Sequence, residues 1–152
     1  MAKQTDNGKK AERIICTYLR HQGYWVHDTG RTNSGSQPVD IIAMKGNAFN
    51  DLCHVMLLDA KYIRAEDASF PFSRIEPNQM TSLDYASHYA GVSEDCLGFG
   101  IVSGRNENDI RFLPLTQLRD LKENDKKSVR WEELSPLWAF IKTKDGDYDK
   151  GW

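Results

Sequence analysis

An acidic and a basic residue stand one residue apart at the end of an apolar run in this sequence. Residues 54–63 read HVMLLDAKYI, so Asp59 and Lys61 follow four apolar residues. On a β-strand, residues i and i+2 point to the same face, about 6.6 Å apart. A carboxylate and an ammonium group placed in this way can hold a divalent metal ion and stabilise the charge that develops beside it. An ordinary salt bridge at a strand end is the alternative interpretation.

Two further carboxylates have the sequence context of site residues. Asp40 begins the apolar stretch VDIIAM directly after a loop rich in Gly and Ser, where a carboxylate is costly to bury without a partner. Glu12 lies in a segment whose apolar residues repeat with helical spacing, on the flank of the apolar stripe and near its packed face. The alternatives are a strand-entry aspartate in a turn and a solvated glutamate at the boundary of the packed face.

Asp40, Asp59 and Lys61 fall on two consecutive predicted strands. Eighteen residues separate the two aspartates, and a hairpin between the strands would bring both carboxylates and the lysine into one cluster. Two carboxylate ligands, with water completing the coordination, suit Mg²⁺. A metal ion bound there would activate a water molecule, and Lys61 would orient the nucleophile or neutralise charge. The spacing therefore indicates metal-assisted attack of water on a phosphorus centre.

The elements that must position these residues are indicated by apolar periodicity and by the positions of Gly and Pro. Their order, αβββαβ(β)α, predicts a mixed α/β fold with helices flanking a mixed central sheet. We expect one domain over residues 1–152, with a core at about 8–120 and a C-terminal extension at 121–152. The strand at 53–63 is apolar on both faces and should be central. We predict helices at 8–22, 77–90 and 115–124, strands at 24–30, 39–45, 53–63, 96–104 and 109–115, a loose tail at 1–7, and a helical or irregular segment at 135–143.

Composition favours an ordinary cytoplasmic domain. Of the 152 residues, 39% are hydrophobic and 28% charged, and no apolar stretch approaches the ~20 residues of a membrane helix. The three cysteines form no CxxC motif, which favours reduced thiols over disulfides or zinc. The net charge is −2, yet residues 1–64 carry nine Lys/Arg against six Asp/Glu. This basic first half could meet phosphate, although a chance split on a solvated surface is an equal alternative.

At these residues the sequence resembles the PD-(D/E)XK nuclease superfamily and, within it, the Holliday junction resolvases. GKKAERIICTYLRHQGYWVHDTG, VDIIAMKGN and LLDAK are similar to the Glu-containing helix, V-D strand and E-x-K strand of archaeal Hjc-type enzymes. DAKYIRAEDASFPFSRIEPNQMTSL and CLGFGIVSGRNENDIRFLPLTQL look like the corresponding stretches of bacterial RecU-type enzymes. The resemblance covers roughly residues 8–120 and implies a restriction-endonuclease-like αβββαβ core.

The resemblance also implies a role for each matching residue. Asp40 and Asp59 would be metal ligands, with Asp59 in place of the family's more usual Glu, and Glu12 would help to form the metal site. Lys61 would be the catalytic lysine, and Gln79 would match a helix glutamine near the active site. The implied cofactor is Mg²⁺, with Mn²⁺ as an alternative.

The implied function is that of a homodimeric endodeoxyribonuclease that resolves DNA four-way junctions in recombination or repair, because a junction needs two symmetric cuts. Three alternatives stay open: a restriction-type or repair nuclease that acts on linear or flapped duplex, a DNA-structure-binding protein that does not cut, and a plain scaffold domain. Basic residues around the predicted site are candidate phosphate contacts, with solubilising surface charge as the alternative: Lys9, Lys10, Arg13, Arg31, Arg64 and Arg74.

Overall fold

A six-stranded sheet packed between helices places the predicted site residues. The computed structural model describes residues 2–29, 39–46 and 53–142. Its helices and strands, in chain order, are α1 (Ala2–His21), β1 (Trp25–Asp28), β2 (Ile41–Gly46), β3 (Cys53–Ile63), β4 (Ser69–Pro71), α2 (Pro77–Ala90), β5 (Leu97–Ser103), β6 (Asn106–Pro114), α3 (Leu115–Glu123), β7 (Ser128–Arg130) and β8 (Ser135–Pro136). The large sheet has the order β1-β2-β3-β5-β6-β8. Only β3 and β5 pair in parallel among these strands.

The predicted mixed α/β class and the order αβββαβ are confirmed. β3 has the predicted bounds and lies inside the sheet between β2 and β5. α2 also has its predicted bounds and ends at Gly91, whose φ of 69° lies in the left-handed region that glycine adopts without strain. α1 was predicted too short: it begins at Ala2 rather than at residue 8. The sequence AKQTDN offers no apolar stripe, so periodicity could not detect these first turns.

The connection after β3 contains structure that the sequence did not predict. β4 pairs with β7 in a separate two-stranded antiparallel sheet, in which Phe70 lies opposite Val129. The segment predicted at 135–143 divides into β8, which pairs with β6, and a helical stretch at 137–142. Val129, Leu134 and Leu137 are buried. The described part of the C-terminal extension therefore packs into the same core as the rest of the chain.

The two faces of the sheet have different neighbours, and this decides where the polar residues of β3 point. Met56, Leu58 and Ala60 belong to the apolar cluster that α1 covers through Ala11 and Ile15. Ile63, on the opposite face, belongs to the cluster that contains Leu83 of α2 and Leu118 of α3. Because successive strand residues alternate between faces, Asp59 and Lys61 both lie on the side of α2.

None of the helices in the described ranges is both long enough and apolar enough to cross a membrane.

Candidate active site

Four carboxylates converge at one edge of the large sheet. β1 and β3 run in the same direction with β2 antiparallel between them, so the end of β1, the start of β2 and the later part of β3 lie at the same edge. Asp28 is opposite Ile41, and Ile41 is opposite Leu58. Asp59 follows Leu58 and points to the opposite face of β3, Asp40 directly precedes Ile41, and Glu12 of α1 interacts electrostatically with Asp28 and Asp40. We call Glu12, Asp28, Asp40 and Asp59 the acidic cluster.

Asp40 and Asp59 hold each other through backbone hydrogen bonds. The backbone N–H of Asp40 donates to Asp59 Oδ1 at 3.1 Å, and the backbone N–H of Ala60 donates to Asp40 Oδ2 at 2.9 Å. Asp59 is only 2% exposed, and its Oδ2 atom is buried with no hydrogen-bond partner among the described residues. A buried charged oxygen without a partner is costly. The described residues therefore leave this buried carboxylate oxygen of the site unsatisfied.

Burial and mutual repulsion raise the pKa values of these acids. Burial, together with the nearby charge of Asp40, raises the pKa of Asp59 to about 7. Burial also raises the pKa of Asp40, against the opposing effect of the Ala60 N–H. The pKa of Glu12 rises to about 7 because of burial and the charges of Asp40 and Asp28. Near neutral pH, Glu12 and Asp59 are therefore partly protonated, and a bound cation would favour their ionised forms.

Lys61 is held by the start of α2. Its Nζ donates to Gln79 Oε1 and to the carbonyl oxygen of Arg74, both at 3.0 Å. Gln79 Oε1 also accepts the backbone N–H of Glu76 at 3.0 Å, as part of the capping box that begins the helix. Burial lowers the pKa of Lys61, although the charge of Asp59 opposes this. One glutamine thus caps the helix and positions the ammonium group.

The predicted alternative of a salt bridge at the strand end does not describe this geometry. Among the ion pairs that join described residues, none links Asp59 with Lys61. The lysine contacts α2 and the preceding connection instead. Asp59 and Lys61 nevertheless lie on the same face of β3, and each charge shifts the pKa of the other side chain.

The donor set fits a hard divalent cation. In the described ranges, no three His, Cys, Asp or Glu side chains are already arranged as a metal-binding group. Mg²⁺ is usually bound by one or two carboxylates, with water and substrate phosphate completing its coordination. Asp40 and Asp59 supply such a pair, and the unsatisfied Oδ2 of Asp59 is the atom that a cation would stabilise. Mn²⁺ accepts the same oxygen ligands.

The six predicted phosphate contacts have different surroundings. Arg74 donates to the carbonyl oxygen of Tyr62 at 2.6 Å and lies over the ring of Phe70. Arg64 pairs with Glu66 and Asp67 on the surface.

Both arginines line a cleft of about 760 Å³ beside the end of β3. Lys9 is exposed near Glu12, whereas Lys10 pairs with Glu107 of β6 at 2.8 Å and Arg13 lines a cleft next to that residue. Arg31 lies outside the described residues.

Asp28 is a member of the acidic cluster that sequence reasoning missed. It is the last residue of a strand of only four residues, too short for alternation to distinguish its two faces. The available signal was the antiparallel arrangement of three consecutive strands, which places the end of the first beside the start of the second. Pairing WVHD with IIAM in that way sets Asp28 next to Asp40.

Comparison with known proteins gives matches among solved structures and none by sequence. No protein family model matches the sequence, and no curated protein matches it. Among solved structures, the chain is similar to Hjc of Archaeoglobus fulgidus, described as a Holliday junction resolvase from an archaeal hyperthermophile. The TM-score is 0.45 at 16% sequence identity, and the alignment covers 69% of this chain and 73% of that one.

Proposed function

We propose that this protein is a metal-dependent endonuclease that hydrolyses DNA phosphodiester bonds, with the four-way junction as its preferred substrate. The observation that carries the proposal is the Asp40–Asp59 pair, which two backbone hydrogen bonds hold together. A buried oxygen of Asp59 is satisfied by no described residue, and Lys61 lies two residues further along β3. Buried acids next to a partly buried lysine, all with shifted pKa values, are typical of catalytic sites.

In this proposal Asp40 and Asp59 bind Mg²⁺ or Mn²⁺, and Glu12 adds negative charge from α1. Held by these residues, the ion would supply Lewis-acid chemistry that makes water a better nucleophile at neutral pH. Lys61 places a positive charge beside the reacting phosphate, where it stabilises the negative charge that develops in the transition state. Gln79 holds the ammonium group in place, so little reorganisation is needed during the reaction.

The preference for junctions depends on the sequence resemblance to resolvases, while the chemistry depends on the site. A symmetric junction requires paired cuts, and a homodimer would supply two sites related by a twofold axis. Arg74, in the cleft beside β3, and the exposed Lys9 on α1 offer positive charge for the DNA backbone, whereas Arg64 in the same cleft is paired with Glu66 and Asp67. These features are compatible with duplex arms of any DNA branch, so the substrate must be tested separately from the chemistry.

The test is a cleavage assay on matched DNA substrates at one salt concentration. Wild-type protein is incubated with a labelled four-way junction, a flapped duplex and a linear duplex of the same sequence, each with Mg²⁺, Mn²⁺ or EDTA. We expect cleavage of the junction first, and none in EDTA. Faster cleavage of linear or flapped DNA would refute the junction preference, and binding without cleavage in either metal would refute the nuclease assignment.

Two variants connect this activity to the site. Lys61→Ala removes the ammonium group, and Lys122→Ala removes a similar charge from the exposed surface of α3. We expect Lys61→Ala to abolish measurable cleavage while junction binding persists, and Lys122→Ala to cut at the wild-type rate. Equal cleavage by both variants would remove Lys61 from the mechanism.

A further inference from the structure

Asp28 is a nearly buried acid that the predicted motif does not include. It ends β1 and is 9% exposed. Acidic side chains are rarely this buried unless they are paired or bind a cation. Asp28 interacts with two other acids of the acidic cluster, Glu12 and Asp40.

Backbone contacts fix where Asp28 lies relative to the site. Asp28 is opposite Ile41 in the β1–β2 register. The next residue, Thr29, donates its backbone N–H to the carbonyl oxygen of Asp40 at 2.9 Å, and its hydroxyl donates to the carbonyl oxygen of Val39. The end of β1 is thus held against Val39 and Asp40, the two residues that precede β2. The backbone of Asp28 therefore stays beside Asp40 while these contacts persist.

The side chain of Asp28 meets the cluster through Glu12. A hydrogen bond between the Glu12 and Asp28 carboxyl groups contributes to the raised pKa of Glu12, and the charge of Asp28 also raises the pKa of Asp40. A second, separate observation points to a ligand in the same cluster, because Asp59 Oδ2 is buried and no described residue satisfies it. The four acids therefore form one connected group with an unfilled requirement for positive charge.

We propose that Asp28 is a positioning residue of the acidic cluster, which orients Glu12 and raises the affinity of the site for a divalent cation. This inference depends on the proposed function, because it concerns the same site. Residues that orient metal ligands typically change metal affinity 10–100-fold when they are mutated. Loss of Asp28 should thus weaken cation binding and leave the bound site competent.

The first measurement is Mn²⁺ binding without DNA, by calorimetry, for wild type, Asp28→Asn and Asp120→Asn. Asp120 is an exposed aspartate on α3 and serves as the matched control. We expect Asp28→Asn to bind Mn²⁺ about tenfold more weakly, by analogy with other residues that orient ligands, and Asp120→Asn to match wild type. Wild-type affinity in Asp28→Asn would overturn the inference. Asp28→Ser, with circular dichroism as the folding check, replaces the asparagine variant if that variant does not fold.

Two further readouts separate positioning from a structural effect. If Asp28 acts through Glu12, the double variant Glu12→Gln/Asp28→Asn should bind Mn²⁺ no more weakly than Glu12→Gln alone. Additive losses would contradict this route. Junction cleavage by Asp28→Asn should recover when Mg²⁺ is raised about tenfold, in proportion to the expected loss of affinity; a loss that Mg²⁺ does not restore would also overturn the inference.

The outcomes distinguish this inference from the proposed function. If wild-type protein cuts no DNA but Asp28→Asn still weakens Mn²⁺ binding, the nuclease assignment fails and the role of Asp28 stands. If wild type cuts DNA and Asp28→Asn binds Mn²⁺ normally, the role of Asp28 fails and the nuclease assignment stands.

Discussion

Replacing Asp59 by asparagine removes a buried negative charge and keeps the shape of the side chain. The asparagine Oδ1 can still accept the backbone N–H of Asp40, and its amide group can donate to the Asp40 carboxylate. We predict that Asp59→Asn is more stable than wild type at pH 8 without metal, although it should be inactive. The reason is that the folded state of wild type must carry an ionised Asp59 in a buried, acidic environment.

The size of this effect follows from the pKa. In the folded protein the pKa of Asp59 is raised from 3.8 to about 7, and each pKa unit corresponds to about 1.4 kcal/mol, so the upper limit is about 4 kcal/mol above pH 7. A raised pKa means that the folded state binds the proton more tightly than the unfolded state does. The stability from that proton is complete below about pH 3.8 and is lost as the pH rises through about 7. Since Asp40 shares the repulsion, we expect a gain of about 1–3 kcal/mol for Asp59→Asn at pH 8, which shrinks toward pH 4.

Urea unfolding followed by tryptophan fluorescence, in EDTA, measures the difference at several pH values between 5 and 8. Asp120→Asn, on the exposed surface of α3, is the matched control and should show no such trend. Saturating Mg²⁺ should stabilise wild type and have little effect on Asp59→Asn, because a ligand that binds only the folded state adds to its stability. The reasoning about this buried charge is wrong if Asp59→Asn is less stable than wild type at pH 8. It is also wrong if the difference in free energy of unfolding between the variant and wild type is the same at every pH.

Three further predictions concern the cation, the lysine and the sheet. Affinity for Mn²⁺ should rise from about pH 6 to about pH 8, because cation binding displaces protons from the acidic cluster. Calorimetry in buffers of different ionisation enthalpy measures the number of protons released. An affinity that does not change with pH would contradict this prediction. Gln79→Ala should lose about 1 kcal/mol of stability with the helix cap. It should also slow junction cleavage, because Lys61 loses one of its two acceptors and keeps only the Arg74 carbonyl oxygen; unchanged cleavage would show that Lys61 does not need Gln79. In Gly98→Ala the new Cβ would lie 2.1 Å from the Leu113 carbonyl oxygen, so we expect a loss of about 3 kcal/mol in urea unfolding. Gly100→Ala, whose Cβ would meet the movable end of a side chain at 2.8 Å, should lose less, and an equal loss would contradict the packing argument.

The part of the site that depends on local patterns was predictable from sequence. Strand alternation places Asp59 and Lys61 on one face of β3, and the short connection between two apolar runs predicts the hairpin that brings Asp40 beside Asp59. Both placements depend on contacts between residues close along the chain. The structure also brings Gln79 to Lys61, a proximity that the sequence resemblance implied and that no spacing rule would give.

The remaining features depend on pairings between distant segments. β4 and β7 are three residues each and more than fifty residues apart in the chain, so neither has a periodic pattern that can be recognised alone. Asp28 was missed for a related reason. Its strand is too short to indicate which face the side chain occupies, and its role in the site depends on an interaction with Glu12 of α1, which is distant in the chain. Such contacts are determined by how the layers assemble rather than by local preference.

The most direct test of the central claim is a crystal of this protein soaked in Mn²⁺ and measured at the manganese absorption edge. The account predicts an anomalous difference peak about 2.0–2.3 Å from a carboxylate oxygen of both Asp40 and Asp59, the usual range for oxygen ligands of small divalent cations. The same peak should be absent in Asp59→Asn. Manganese bound elsewhere, with no density between the two carboxylates, would contradict the assignment of this pair as the metal site.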